Sequence, residues 1–138
     1  MNNEKIMIEN VVDKLLFMLA FKRKLSGCEY LRDALIMCCN ETYVHAALSN
    51  ELYPQIAKLN NSNAKNVESA IRRCIKNCYE QGNLLKLNKV FNCLIVNENY
   101  YPTNGKFITT VSACLRFAIK NDQLDETIEK LDCISLEK

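Results

Sequence analysis

The residues of this 138-residue chain that are best suited to chemistry lie in its middle, between Lys58 and Lys76. This stretch holds five cations and one anion, together with several asparagine and serine side chains. Such groups can contact DNA, because arginine donates to guanine, asparagine bridges adenine, glutamate accepts from cytosine, and lysine or serine meets phosphate. The candidate DNA-contacting residues are Lys58, Ser62, Asn63, Lys65, Asn66, Glu68, Ser69, Arg72, Arg73 and Lys76.

The apolar residues between these polar groups predict the elements that would present them. From Val67 to Cys78 they recur at intervals of three and four, as on the buried face of an amphipathic helix that Gly82 would end. A shorter helix from Leu52 to Leu59 precedes it. The turn between them runs from Asn60 to Asn63, and asparagine accepts the left-handed angles for which such turns often use glycine. This arrangement is typical of a helix-turn-helix.

The polar face of the longer helix has two interpretations. Its first two turns would reach base edges best if the helix lay in a DNA groove, which favours Lys65, Asn66, Glu68, Ser69 and Arg72. A solvated helix surface would show the same residue types, with Glu68 and Arg72 forming an ion pair across one turn. The pattern alone leaves both interpretations open.

The rest of the chain predicts an all-α fold, a compact bundle of about six or seven helices. Only 3 glycines and 2 prolines leave few turns for a many-stranded β protein. Apolar residues instead repeat with helical spacing along most of the chain. Apart from the two helices above, we predict helices over residues 3–22, 26–40, 84–94, 104–118 and 122–136.

Charge is distributed unevenly along the chain, although its formal net charge is only +2. Residues 121–138 hold six acidic side chains and two lysines, so the end of the chain is acidic. We therefore divide the chain into a helix-turn-helix domain over 1–120 and an acidic C-terminal helical extension over 121–138. The extension could pack on the bundle, mediate self-association or mask the basic face.

Several other classes of protein fit the sequence poorly. The N-terminus lacks a secretory signal and no apolar run could span a bilayer, so we expect a cytoplasmic protein whose eight cysteines are reduced and mostly buried. His45 is the only histidine, and we expect it to pack or to face solvent. There is no glycine-rich phosphate loop or Cys-x-x-Cys pair. We expect no enzymatic activity, metal or cofactor.

Several motifs resemble the effector domain of the stage-zero sporulation protein A family, response-regulator transcription factors that control entry into endospore formation. The matching residues occur in family order, with nearly family spacing, over roughly residues 8–119. They are Gly27, Tyr30-Leu31-Arg32-Asp33-Ala34, Leu52-Tyr53-Pro54, Ile56-Ala57-Lys58, Ala64, Val67-Glu68, Ala70-Ile71-Arg72, Gly82-Asn83, Pro102-Thr103-Asn104 and Phe107-Ile108.

The resemblance implies a bundle of about six helices that binds short boxes of double-stranded DNA through the major groove. Glu68 and Arg72 match family positions and would face the groove. The family typically has arginine where this chain has Asn66 and Ser69, and an aromatic residue where it has Asn60. We therefore expect a changed or weakened sequence preference, and looser packing of the two helices at Asn60.

The resemblance also bears on partners and regulation. Family members carry a receiver domain ahead of the effector domain, whereas the first effector helix here starts near Met1, so we expect no phosphorylation input. Binding as a homodimer or in tandem on DNA, and contact with RNA polymerase, are further expectations. The resulting hypothesis is a sequence-specific DNA-binding transcriptional regulator. The alternative is a protein-interaction module that modulates a full-length sporulation regulator without binding DNA.

Overall fold

The computed structural model describes residues 2–19, 26–40 and 48–135, and within these ranges the chain forms seven α-helices and no strand. A π-helical turn, Leu48–Leu52, leads directly into the third helix. The all-α prediction is confirmed. The helices are α1 (Asn2–Met18), α2 (Ser26–Asn40), α3 (Tyr53–Leu59), α4 (Ala64–Glu80), α5 (Lys86–Phe91), α6 (Asn104–Lys120) and α7 (Leu124–Ser135).

Two of the sequence predictions fall partly or wholly outside this description. Residues 20–22, the predicted end of the first helix, and His45 lie outside the described residues.

The prediction for the segment after Leu84 is wrong at its end, because α5 stops at Phe91. Asn92 takes a left-handed backbone angle (φ 51°), which ends the helix and leaves Leu94 80% exposed.

The core of the bundle is centred on α2, which packs against α1, α3, α4 and α6. The predicted apolar stripes supply this core, and Leu31 and Leu35 of α2 are fully buried among them. Phe107 of α6 is among the largest side chains that are completely enclosed. An ion pair fixes α1 to α2, since Arg32 Nε lies 2.6 Å from Asp13 Oδ1. The hydrogen bond to Asp13 raises the pKa of Arg32 above its ordinary value.

The closest contact between α2 and α4 occurs at Gly27. A Cβ atom built on this residue would lie 2.5 Å from the Ala70 carbonyl oxygen and 2.5 Å from Cys74 Sγ. Real Cβ atoms do not approach a backbone oxygen so closely, so only glycine allows the two helices to cross at this separation. Gly27, at the start of α2, thus sets the distance between α2 and α4.

The acidic end of the chain joins the same core. Leu124, Leu131 and Ile134 of α7 are buried, and the helix packs against α1, α5 and α6. Lys14 Nζ of α1 lies 2.8 Å from Asp132 Oδ1 on the outside of this contact. Among the roles expected for the extension, the structure thus shows packing on the bundle, while self-association and masking stay predictions.

All eight cysteines lie within the described ranges, and none of them forms a disulfide bond. Four of them are buried (Cys28, Cys38, Cys74 and Cys78), two are partly buried, and Cys93 and Cys133 are exposed. Burial raises the pKa of Cys38 to about 11 and the pKa values of Cys39 and Cys78 to about 12. The Cys78 thiol also donates a hydrogen bond to the Leu19 carbonyl, at 3.2 Å. These thiols therefore act as small apolar groups.

The substitution Gly27→Ala tests the close contact between α2 and α4. Alanine inside a helix usually stabilises a protein relative to glycine, by about 0.5–1 kcal/mol. Here the added methyl group overlaps the Ala70 carbonyl, so we expect the free energy of unfolding to fall by about 2 kcal/mol, within the range for overpacking. Urea denaturation measures the change. Asn10→Ala, on the exposed side of α1, is the control, and equal stability of Gly27→Ala and wild type would contradict the contact.

The raised pKa of Cys78 predicts a loss of stability at alkaline pH. Below pH 9, the ordinary cysteine value, both states keep the proton; above it the unfolded chain loses it first, so the free energy of unfolding falls. For Cys78 we expect the free energy of unfolding to fall by about 1.4 kcal/mol between pH 8 and pH 10. In urea denaturation under reducing conditions, the fall in the free energy of unfolding between these two pH values should be smaller by this amount in Cys78→Val than in wild type. Cys133→Ser should behave as wild type does, and an identical loss in Cys78→Val would refute this account.

Candidate nucleic-acid interface

Helices α3 and α4 are joined by the turn that the sequence predicted. Asn61 takes a left-handed backbone angle (φ 51°), and the Ser62 N–H donates to the Ala57 carbonyl at 2.9 Å, closing the end of α3. Asn60 is the first residue of this turn, where the resemblance led us to expect looser packing of the two helices. Its Nδ2 donates to the Ile56 carbonyl at 2.8 Å and to Asp33 Oδ2 of α2 at 3.2 Å. The turn is therefore held by hydrogen bonds at this position.

The start and end of α4 are defined by side-chain and backbone caps. Asn63 is the N-cap, with its Oδ1 accepting from the Asn66 N–H at 2.9 Å. At the other end Gly82 has φ 79°, and Asn83 N–H donates to the Cys78 carbonyl, which is the Schellman arrangement. Both ends agree with the sequence prediction. The side-chain oxygen of Asn63 thus has a structural role in the free protein.

The faces of α4 divide as predicted. Its apolar side is buried against α2, α3 and α6, through Val67, Ala70, Ile71, Cys74, Ile75 and Cys78. The opposite side, which we call the polar face, consists of Lys65, Asn66, Ser69, Arg72, Arg73 and Lys76. All of these are exposed except Ser69, which is partly buried. Glu68 is partly buried at the edge of this face, Lys58 is exposed on the last turn of α3, and Ser62 is partly buried in the turn.

Arg72 is folded back along the helix in this state. Its Nη1 lies 3.2 Å from Glu68 Oε1, and its Nη2 donates to Ser69 Oγ at 3.4 Å. About half of each charged side chain remains exposed, and such pairs are worth only about 0.3–0.5 kcal/mol. A bidentate contact between arginine and guanine is worth about 1–3 kcal/mol. The ion pair therefore orients Arg72 without preventing it from contacting a base.

One residue that supports α4 was not recognised from the sequence as part of this site. Asn104, in the first turn of α6, donates from Nδ2 to the Glu68 carbonyl at 2.9 Å. The Tyr53 phenol of α3 lies nearby: burial raises the pKa of Tyr53, and its interaction with the Asn104 side chain offsets part of that rise. Thr103 caps α6, so the Asn104 side chain is available to link α6 to α4. The sequence placed Asn104 only at the start of the helix predicted over residues 104–118.

Elsewhere in the described structure the side chains offer little basis for a catalytic, metal or membrane site. A cavity of about 610 Å³ opens between α5, α6 and α7, and both Cys93 and Cys114 line it. Burial raises the pKa of Cys114 to about 11, so this thiol stays protonated at neutral pH and is a poor nucleophile. Within the described ranges, no three His, Cys, Asp or Glu side chains are grouped closely enough to hold a metal ion. Nor does any helix there have the length and apolar character needed to cross a bilayer.

The capping role of Asn63 can be measured through stability. Asn63→Ala removes the acceptor of the Asn66 N–H and should lower the free energy of unfolding by about 1 kcal/mol. Serine caps helices about as well as asparagine, so Asn63→Ser should retain most of the wild-type value. Thermal or urea denaturation of the three proteins gives the comparison. If alanine and serine at this position prove equally stable, the side-chain cap contributes nothing.

The sequence of the chain also matches a known protein family. Residues 12–115 match the family described as "Sporulation initiation factor Spo0A C terminal". The match starts inside α1 and extends into α6, so it includes the complete helix-turn-helix and the Asn104 contact. The family is that of the DNA-binding effector domain of a sporulation regulator. With three quarters of its length matched, the chain belongs to the Spo0A C-terminal family.

Proposed function

We propose that this chain is a sequence-specific DNA-binding regulator of transcription, which inserts α4 into the major groove of double-stranded DNA. One observation carries the proposal: the buried side of α4 is locked into the bundle, while its cationic side is left open to solvent. The helix face with Lys65, Arg72, Arg73 and Lys76 is held in place by its buried opposite side, so it can approach phosphates without rearrangement of the fold. Membership of a DNA-binding family supports the same conclusion.

We assign different roles to the residues of the interface. Arg72, with Asn66 and Glu68 beside it, lies in the first half of α4 and would contact base edges. The more peripheral Lys58, Lys65, Arg73 and Lys76 would contact phosphates and set affinity. Asn66 and Ser69 replace two guanidinium groups expected from the family, so the preferred DNA box would differ from that of arginine-bearing relatives. The Ser62 hydroxyl and the Asn63 Nδ2 group, both in the turn, would donate to phosphate.

This function needs no cofactor and is compatible with a location in the cytoplasm. Action in tandem or as a homodimer on DNA, and contact with RNA polymerase, remain predictions from the resemblance. The competing hypothesis is a protein-interaction module that modulates a full-length sporulation regulator. It differs in a measurable way, because it requires no affinity for DNA.

The test is selection of bound sequences from random duplex DNA, followed by affinity measurements over a salt series. We expect one short box to be enriched, with affinity falling steeply as salt rises. Arg72→Ala should weaken binding to that box by about 1–3 kcal/mol and relax the preference at one base pair. Arg116→Ala is the matched control, since Arg116 is an exposed arginine near the end of α6, twelve positions along that helix from the Asn104 contact with α4.

Two outcomes would contradict the proposal. Absence of binding at low salt would favour the protein-interaction module. Equal weakening by Arg72→Ala and Arg116→Ala would indicate a contact that depends on total charge, with no specific role for α4.

A further inference from the structure

The segment 98–104, between α5 and α6, is attached to α4 at both of its ends. The Tyr79 hydroxyl, near the end of α4, donates to the Glu98 carbonyl at 2.6 Å. The rings of Tyr79 and Tyr101 also pack together, with centroids 6.0 Å apart. At the other end, Asn104 Nδ2 donates to the Glu68 carbonyl at 2.9 Å, near the start of α4. The segment therefore runs antiparallel to α4.

The attachment points show which side of α4 the segment follows. Residues 68, 72 and 79 are four and seven positions apart, so they lie on one side of the helix. Eleven residues of helix separate the two attachment points, a distance of about 16 Å along the axis. Arg72 lies between them. The segment thus follows the edge of the polar face over most of the length that a DNA groove would cover.

Local contacts also fix the shape of the segment. Asn97 Oδ1 accepts from the Asn99 N–H at 2.7 Å, and Pro102 restricts the backbone before the Thr103 cap of α6. Tyr101 is partly covered by its contact with Tyr79, whereas Tyr100 is 61% exposed. An aromatic side chain with a hydroxyl group is therefore presented to solvent from a segment that follows the edge of the polar face and that these contacts hold in place.

We propose that the segment 98–103 forms a second contact with DNA, in which Tyr100 packs on the sugar-phosphate backbone at the edge of the groove that α4 enters. This inference rests on the proposed function. The Tyr100 hydroxyl donates to a phosphate oxygen and its ring covers deoxyribose, a use of tyrosine that adds affinity without selecting a base. Because the segment is ordered before DNA arrives, little conformational entropy is lost on contact.

The neutral charge of tyrosine gives this contact a distinctive signature. Lysine and arginine contacts with phosphate release counterions. Removing one such contact therefore reduces the slope of log affinity against log salt concentration by about one. Removing Tyr100 should weaken binding at every salt concentration and leave that dependence unchanged. The loss should also be the same for preferred and unrelated DNA sequences, since the contact is to the backbone.

The experiment measures the affinity of Tyr100→Ala and Tyr100→Phe for the selected DNA box and for unrelated duplex DNA. We expect Tyr100→Ala to bind about fivefold more weakly and Tyr100→Phe to lie between it and wild type. Phe117→Ala is the matched control, because Phe117 is a 62% exposed aromatic residue near the opposite end of α6 from Asn104. It should bind as wild type does. Circular dichroism and urea denaturation confirm that the variants remain folded.

A photoreactive benzoylphenylalanine placed at position 100 gives a second measurement that does not depend on affinity. It should form a covalent adduct with DNA on irradiation, whereas the same group at position 117 should not. If wild type binds DNA but Tyr100→Ala binds equally well, or position 100 gives no adduct, the inference fails and the proposed function stands. If Tyr100→Ala changes only self-association, measured by sedimentation without DNA, the segment is a protein contact. If wild type binds no DNA, both proposals fail.

Discussion

The crossing of α2 over α4 at Gly27 is the contact on which the rest of the arrangement depends. The Ala70 carbonyl lies where a side chain at Gly27 would start, so the two helix backbones approach as closely as glycine permits. Because α2 also packs against α1, α3 and α6, its position fixes the whole bundle relative to α4. The position of the polar face therefore depends on the absence of a side chain at Gly27, on a different helix.

The two sides of α4 are subject to separate physical constraints. Val67, Ile71 and Ile75 are completely buried, so substitutions there change packing and cost stability. Asn66 and Arg73 contact solvent, where most substitutions change stability by less than about 0.5 kcal/mol. The helix can therefore keep its fold while its exposed residues change. The same scaffold can thus present different side chains at positions such as Asn66 and Ser69.

The sequence was informative where local rules decide the structure. The stripe from Val67 to Cys78, the left-handed turn at Asn61 and the end of α4 at Gly82 were all predictable, because periodicity and backbone preference act within a few residues. The helix predicted over residues 84–94 was too long, because the left-handed Asn92 ends α5 first. Asn88 Oδ1 instead accepts from the N–H groups of Ile95 and Val96 at 2.7 and 2.9 Å. The Asn104 bridge could not be predicted, since it joins α6 to residues 36 and more positions away.

The pairing of α1 with α7 has a consequence for the order in which the bundle forms. Lys14 and Asp132 are separated by 118 residues, so their contact closes nearly the whole chain into one loop. The entropy lost in closing a loop rises with its length, and long-range contacts form slowly unless shorter ones have already brought the ends together. The helix-turn-helix closes a much shorter loop. We therefore expect α3 and α4 to associate early in folding, and α7 to dock late onto a bundle that is already collapsed.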